Sequence, residues 1–380
     1  MLNNNNKALG IIFPNSYDTI MPELANERLM ASIPFASRYR MIDFVLSSMV
    51  NAGIDNVTLV VRKNYLSLLD HLGSGREWDL ARKNGGLNIV PPFSQKTSKV
   101  YGGRVDALAG IAEFIKNQKE EYVVLSDANV ACNFDFEALV NAHIEKGADV
   151  TVAYYKKDTL VANCDAFSGN QEFYYTLGIE DGRVNDIKIN ESGEGDFNLS
   201  LNMYVLRKDL LLDLIKNATI KGDVLFERDV LIPQLATLNV QAFEFTGYVA
   251  AFYDLVSYFK TSMDLLDQEK LDALFGPAPI YTKIRDDNPT RYVKGCEVKN
   301  IMAADGCVIE GEVENSILFK GVKIAKGAKV KNCILMQDTV VGEDAELEYV
   351  ITDKNVTITK DVELEGVANF PIYVGKGKTI

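Results

Sequence analysis

One seven-residue pattern returns four times near the C-terminus, always seventeen residues on. The copies are Cys307-Val-Ile-Glu-Gly-Glu-Val313, Ile324-Ala-Lys-Gly-Ala-Lys-Val330, Val341-Gly-Glu-Asp-Ala-Glu-Leu347 and Ile358-Thr-Lys-Asp-Val-Glu-Leu364. An apolar residue opens and closes each copy, and a small or β-branched residue holds the fifth place: Gly311, Ala328, Ala345, Val362. The stretches between copies rhyme as well: Glu314-Asn-Ser-Ile-Leu318, Lys331-Asn-Cys-Ile-Leu335 and Glu348-Tyr-Val-Ile-Thr352. A fixed period marks a solenoid whose turns stack over a shared core. Three hexads per coil, with one corner shortened, give this period, so we expect a parallel β-helix of hexapeptide repeats. A β-sandwich is the competing reading, but generic sandwiches do not repeat in phase.

The chain has 380 residues, enough for two domains. Its net charge of −13 argues against nucleic acid or an anionic membrane as main partner, since both attract basic surfaces. No apolar run is long enough to span a bilayer. Met1–Lys7 lacks the basic-then-apolar order of a secretory signal. The five cysteines (Cys132, Cys164, Cys296, Cys307, Cys333) are scattered and form no C-x-x-C pair, which points to reduced, mostly buried thiols in a cytoplasmic protein.

Upstream of the repeats, strand and helix patterns alternate. Ala8–Phe13, Val57–Val61, Tyr122–Ser126, Asp149–Tyr155, Leu199–Leu206 and Val240–Thr246 read as strands. Residues 43–52, 105–116, 134–145, 208–216, 230–238 and 255–266 carry helical spacing, and the polar stretch 190–198 reads as an exposed loop. Near-continuous apolar strands between amphipathic helices imply an α/β domain with a mainly parallel sheet covered on both faces, which binds ligands beyond the carboxyl ends of its strands. Gly276-Pro-Ala-Pro279 and Asn288-Pro289 break the pattern. The expected division is residues 1–270 for the α/β domain, 271–292 for a linker and 293–380 for the β-helix.

Several strings, in order along nearly the whole chain, carry a family likeness. Tyr39-Arg-Met-Ile-Asp-Phe-Val-Leu-Ser47, Asn51-Ala-Gly-Ile54, Val105-Asp-Ala-Leu108 after Gly103, the strand ending at Asp127, and Gly247-Tyr248 with Ser257-Tyr258 and Met263-Asp-Leu-Leu266 are the evidence. The chain resembles the ADP-glucose pyrophosphorylase (glucose-1-phosphate adenylyltransferase) family. That likeness implies a Rossmann-like nucleotidyltransferase domain followed by a left-handed parallel β-helix.

The departures are concentrated where phosphate chemistry needs help. Nucleotidyl transfer from ATP to a sugar phosphate gathers anions, which requires backbone amides, cations and a carboxylate-held divalent metal. The family's G-G-x-G-T-R-L loop is replaced by Gly10-Ile-Ile-Phe-Pro-Asn-Ser-Tyr17, whose bulky residues crowd ground that glycine would leave open. Met30 stands where the family has a lysine, and Arg104 where it has a threonine. Asp127 keeps the first metal carboxylate, while the second aligns with Ala251. The family's F-x-E-K-P has no counterpart. Gly10, Met30, Arg104, Asp106, Asp127 and Ala251 therefore outline a degenerate nucleotide and metal site, with no catalytic residue and no metal ligand set assigned.

This pattern resembles the non-catalytic companion subunit of Gram-positive bacteria. The resemblance implies a regulatory role in glycogen biosynthesis and a hetero-oligomer, a tetramer, with a catalytic glucose-1-phosphate adenylyltransferase paralogue. It implies no cofactor, with magnesium required only under the alternative of an active sugar-1-phosphate nucleotidyltransferase with a divergent pocket. Arg28 and Arg40 align near the family's anionic-activator pocket and are candidates for a phosphorylated small-molecule regulator or for plain surface arginines. Asp106 and Asp127 each have an ordinary reading as helix-turn or capping aspartates. His71 and His143 read as structural, Trp78 as packed under a loop, and Lys320, Lys323, Lys326, Lys329 and Lys331 as solvated rungs. A hexapeptide acyltransferase would need a histidine on the β-helix, and residues 293–380 contain none. A ligand-free scaffold is a further alternative.

Overall fold

A computed structural model describes residues 8–16, 18, 21–91, 101–160 and 174–380. Met1–Lys7, Tyr17 and Cys164 lie outside the described residues. The chain divides into two compact units: the first joins residues up to 17 with 44–247, and the second joins 18–43 with 248–380. The expected boundary at 270 thus differs from this division, which groups 18–43 and 248–270 with the repeats. The expected linker is partly ordered too. Helix Gln268–Phe275 enters it, and Arg291–Tyr292 already pairs with Val308–Ile309.

The first unit is built on nine strands: β1 (Ala8–Phe13), β2 (Asn56–Val60), β3 (Gly86–Val90), β4 (Tyr122–Asp127), β5 (Val150–Leu160), β6 (Tyr175–Glu180), β7 (Arg183–Ile189), β8 (Gly193–Arg207) and β9 (Val240–Glu244). Their order is β3-β2-β1-β4-β8-β5-β9-β7-β6. The sheet is mixed. It runs parallel from β3 through β4 and again between β5 and β9, and antiparallel where β8 meets β4 and β5. All six residues of β1 are buried, as a strand covered on both faces requires. Its register sets Phe13 beside Asp127, so both residues stand at the carboxyl end of parallel strands.

Three expectations change here. The helix expected over 105–116 is two, Arg104–Gly110 and Ala112–Lys116, broken at Ile111 (φ −107°, ψ 10°). Gly110 weakens the helix and packs on Tyr101, whose ring would lie 2.9 Å from a Cβ there. Residues 230–238 form no α-helix. A π-turn, Phe226–Leu231, leads into a 3-10 turn, Ile232–Gln234, because Pro233 removes a helical donor. Most of the expected loop 190–198 is strand: residues 193–198 begin β8, which pairs with β5.

His143 is buried and structural. Its Nδ1 lies 2.8 Å from Thr151 Oγ1, and its ring meets Tyr122 edge-on at 5.5 Å. Burial depresses its pKa to about 4, against a smaller opposing pull from Asp149. The unfolded chain therefore takes up this proton first. The stability tied to neutral His143 is fully present above about pH 6.5 and is lost as pH falls towards about 4. Urea melts across that range should show the decline, and His143→Gln should flatten it. His71 is likewise buried, edge-on to Trp78, and the Trp78 indole donates to Ser47 Oγ at 3.2 Å.

The second unit contains the solenoid. Val298, Val313, Val330, Leu347 and Leu364 stack in register on one face. Ile317, Ile334 and Ile351 do so on the next, and Ile309, Ile324, Val341 and Ile358 on the third. The strands of successive rungs pair in parallel, and the opening residues Cys307, Ile324, Val341 and Ile358 are at most 1 % exposed. The fifth place of the first copy requires glycine: a Cβ on Gly311 would lie 2.3 Å from the Ala328 carbonyl oxygen. Asn300, Asn315 and Asn332 turn one corner with positive φ, a conformation asparagine tolerates. Lys329 and Lys331 pair with Glu346 and Glu348 on the next coil, at 2.7 and 3.8 Å. Lys320 departs from the solvated-rung expectation: it is half-buried and donates to the Lys283 carbonyl at 3.2 Å. Cys132, Cys307 and Cys333 are buried free thiols and Cys296 is partly exposed. Among the described residues, no helix is long and apolar enough to cross a membrane.

Candidate functional site

The sheet end of the first unit is occupied by the protein's own side chains. Gly102 and Gly103 bring the start of helix Arg104–Gly110 against residue 224. A Cβ on Gly103 would fall 2.4 Å from the Val224 carbonyl oxygen, and Val105 N–H donates to that same oxygen at 3.1 Å. This close approach aims Arg104 at the end of β4. Its Nη2 donates to both carboxylate oxygens of Asp127 at 2.8 Å, and its Nη1 donates to Glu227 Oε1. The guanidinium also lies over the Phe13 ring at 5.1 Å and near the Tyr204 ring at 5.7 Å. Ser16, in the turn after β1, donates its hydroxyl to Asp127 Oδ1 at 2.6 Å. Tyr175 OH reaches Glu227 Oε2 at 3.4 Å.

The Asp127 side chain has no accessible surface, and that of Arg104 is 10 % exposed. Burial raises the Asp127 pKa. Arg104 and the Ser16 hydroxyl pull it back, while Glu227 adds to the rise. Two carboxylates face one guanidinium, so the cluster as ionised carries an excess negative charge. A polyphosphate needs the opposite.

The residues expected at the degenerate site separate on inspection. Arg104 and Asp127 are in direct contact. Asp106 serves its own helix start, accepting the Gly102 N–H at 3.0 Å. Gly10 belongs to no cradle: it lies inside β1, where Met49 Sδ would be 2.8 Å from an added Cβ, so packing explains it. Met30 and Ala251 belong to the second unit. Met30 is fully buried, and its backbone N–H donates to Asp18 Oδ1 at 2.7 Å. Ala251 lies in the short strand Ala250–Ala251. Glu227 escaped the sequence reading. It sits in the π-turn Phe226–Leu231, ahead of the helix expected over 230–238. The one available signal was Arg104 itself, a buried cation in need of more than one partner.

The second unit holds the two candidate effector residues. Arg28 is 2 % exposed, and its Nη2 donates to both carboxylate oxygens of Asp353, at 2.7 and 2.9 Å. It is therefore a structural ion pair and not an open ligand for a regulator. Tyr373 OH lies 3.1 Å from Asp353 Oδ2 and 2.7 Å from the Glu23 carbonyl. Arg40 is half-buried, and its backbone N–H donates to Asp43 Oδ2 at 2.9 Å. Lys354 lies in the same cationic field. Burial, then Arg40 and Arg28, with Lys376 contributing less, push its pKa down to about 7 against the pull of Asp353.

Comparison with known proteins places this geometry. Residues 21–162 match the nucleotidyl transferase family model, and residues 283–367 match the GlmU-like C-terminal hexapeptide model. The glycogen biosynthesis protein GlgD of Geobacillus stearothermophilus is 39 % identical over 86 % of this chain and 83 % of its own length. GlgD of Bacillus subtilis (strain 168) is 36 % identical over the same shares. The glucose-1-phosphate adenylyltransferase of G. stearothermophilus is 29 % identical over 85 % of this chain and 83 % of its own length. An α/β nucleotidyltransferase unit, a hexapeptide β-helix and relatives of this identity over most of both chains lead to one assignment: the chain belongs to the family of the glycogen biosynthesis protein GlgD.

Proposed function

We propose that this chain is a regulatory, catalytically silent subunit that acts in glycogen biosynthesis beside a catalytic glucose-1-phosphate adenylyltransferase paralogue. The observation that carries the reading is the Arg104 guanidinium on both oxygens of Asp127, where nucleotidyl transfer would need a carboxylate open to metal and phosphate. The scaffold is kept and the reacting centre is filled. The partner is the paralogue, in a hetero-oligomer, a tetramer by resemblance. The chain itself needs no cofactor and works in the cytoplasm.

Regulation by a phosphorylated small molecule centres on Arg40 and Lys354, with Lys376 exposed nearby in the same field. Arg28 contributes charge from its buried pair and does not touch the ligand.

The test is reconstitution. The chain and the paralogue are purified separately, mixed, and examined for co-elution and for pyrophosphate release from ATP and glucose 1-phosphate. The expected result is a mixed assembly with higher maximal rate or an altered response to a phosphorylated effector. Lys354→Ala should weaken the effector response without dissolving the assembly. Separate elution and unchanged paralogue kinetics would refute the proposal. Nucleotide transfer by the lone chain would favour an active enzyme with a divergent pocket.

A further inference from the structure

Resemblance to nucleotidyltransferases implies a divalent metal at the end of β4. Magnesium takes six oxygen ligands in near-ideal octahedral geometry, usually one or two carboxylates with waters and substrate phosphates completing the shell. Asp127 does not fit that requirement here. Oδ1 accepts from Ser16 and Arg104, Oδ2 accepts from Arg104, and the side chain has no surface through which hydrated metal could reach it. The second carboxylate in the pocket, Glu227, accepts from the other arm of the same guanidinium and from Tyr175. The cation is braced by rings as well as by the two carboxylates. The Phe13 ring lies beneath it, Tyr204 flanks it, and Gly103 packs too tightly on residue 224 for its backbone to retreat.

We infer that Arg104 is a tethered counter-cation that takes the place of a divalent ion between Asp127 and Glu227 and shuts the pocket to metal. A guanidinium suits the task. It is charged at every relevant pH, planar, and able to bridge two carboxylates at once, which a lysine ammonium at the end of a flexible stem does less well. Closure follows from what the pocket holds and not only from what it lacks. The inference deepens the reading of a silent subunit and can be tested apart from it, because the readout is metal binding and not turnover.

The experiment uses the full chain with manganese as the probe, counting bound Mn2+ by the loss of its free paramagnetic signal and following the melting temperature. Wild-type protein is expected to bind no Mn2+ that depends on Asp127 and to melt at the same temperature with or without it. Arg104→Gln removes the charge and leaves a shorter neutral amide with one NH2 group, and Arg104→Ala opens the space. Both should melt lower than wild type, gain one Mn2+ site per chain at least about tenfold tighter than any wild-type binding, and regain melting temperature when Mn2+ is added, since a ligand of the folded state stabilises by mass action. Asp127→Asn combined with Arg104→Gln should abolish the gain. Arg104→Lys keeps the charge and should stay closed to the metal. A wild-type Mn2+ site lost in Asp127→Asn would overturn the inference. So would a folded Arg104→Gln, verified by circular dichroism, that gains no site. If the lone wild-type chain transfers nucleotide yet shows no Asp127-dependent Mn2+ binding, the functional reading fails while the inference stands.

Discussion

Arg28→Ala should cost the folded chain about 3–5 kcal/mol, the range for breaking one half of a buried ion pair. The two side chains are 3 % and 2 % exposed, so neither charge can fall back on water. Asp353 is held by more than Arg28. It accepts from the Lys354 backbone N–H at 2.7 Å and lies beside the Tyr373 hydroxyl, so its carboxylate would be stranded when the guanidinium goes. The pair joins residues 325 positions apart within the second unit and ties the segment 18–43 to the solenoid. Other contacts hold the same segment to residues 252 and 258. Tyr258 OH donates to the Pro34 carbonyl at 2.7 Å, and Phe35 meets Phe252 edge-on at 5.1 Å. They are neutral and survive the substitution. Chemical denaturation should show the loss as a lower midpoint. Replacing both charges with apolar residues of similar size should recover much of it, because the remaining cost is mostly the orphaned charge. A loss below about 1 kcal/mol would mean that the pair behaves like an exposed one.

Much of the fold could be read from the chain because its signals are local or periodic. The seventeen-residue return placed Ile324, Val341 and Ile358, which stack in register, whereas in the first copy Ile309 and not the buried Cys307 pairs with Ile324. The apolar run Ala8–Phe13 is a fully buried strand with the expected bounds. Boundaries moved where a single residue intervened: Gly110 against Tyr101, Pro233 after the π-turn, and Asp135, which caps a helix through the Ala138 N–H at 2.9 Å and starts it at Phe136.

The site was harder to read, for a different physical reason. Its decisive contacts join residues 23 and 123 positions apart, Arg104 with Asp127 and with Glu227, and no spacing rule reaches across a sheet. Substitution of a small polar residue by Arg104 indicated a lost phosphate contact but not a new internal bridge. Arg28 failed as an effector candidate for the same reason, since its partner Asp353 lies on a distant coil. Gly10 lies within β1 and not in a loop, and its missing side chain makes room for Met49, Ile54 and Val57. Type and order of elements come from sequence-local physics, whereas charge pairing comes from topology.

The lone chain should be at least about 10⁴-fold slower in nucleotidyl transfer than a catalytic relative. Removing one preorganised electrostatic stabiliser commonly costs a factor of about 10²–10³. Here Ile11, Ile12 and Phe13 belong to the buried strand β1, the turn after it holds Pro14, Asn15 and Ser16 with no glycine, and Asp127 is committed to Arg104. The remaining charge at the strand end is two carboxylates against one guanidinium, which repels the triphosphate that must approach. These losses act on the same transition state, so no single reversion should restore the rate; even an opened Arg104→Gln pocket would lack the cradle. The most direct measurement is pyrophosphate release by the purified full-length chain supplied with ATP, magnesium and glucose 1-phosphate, beside a catalytic adenylyltransferase under the same conditions. The account predicts release no faster than a protein-free blank. Turnover within about tenfold of the catalytic enzyme would contradict it, since a rate that close leaves less than about 1.4 kcal/mol of transition-state stabilisation missing.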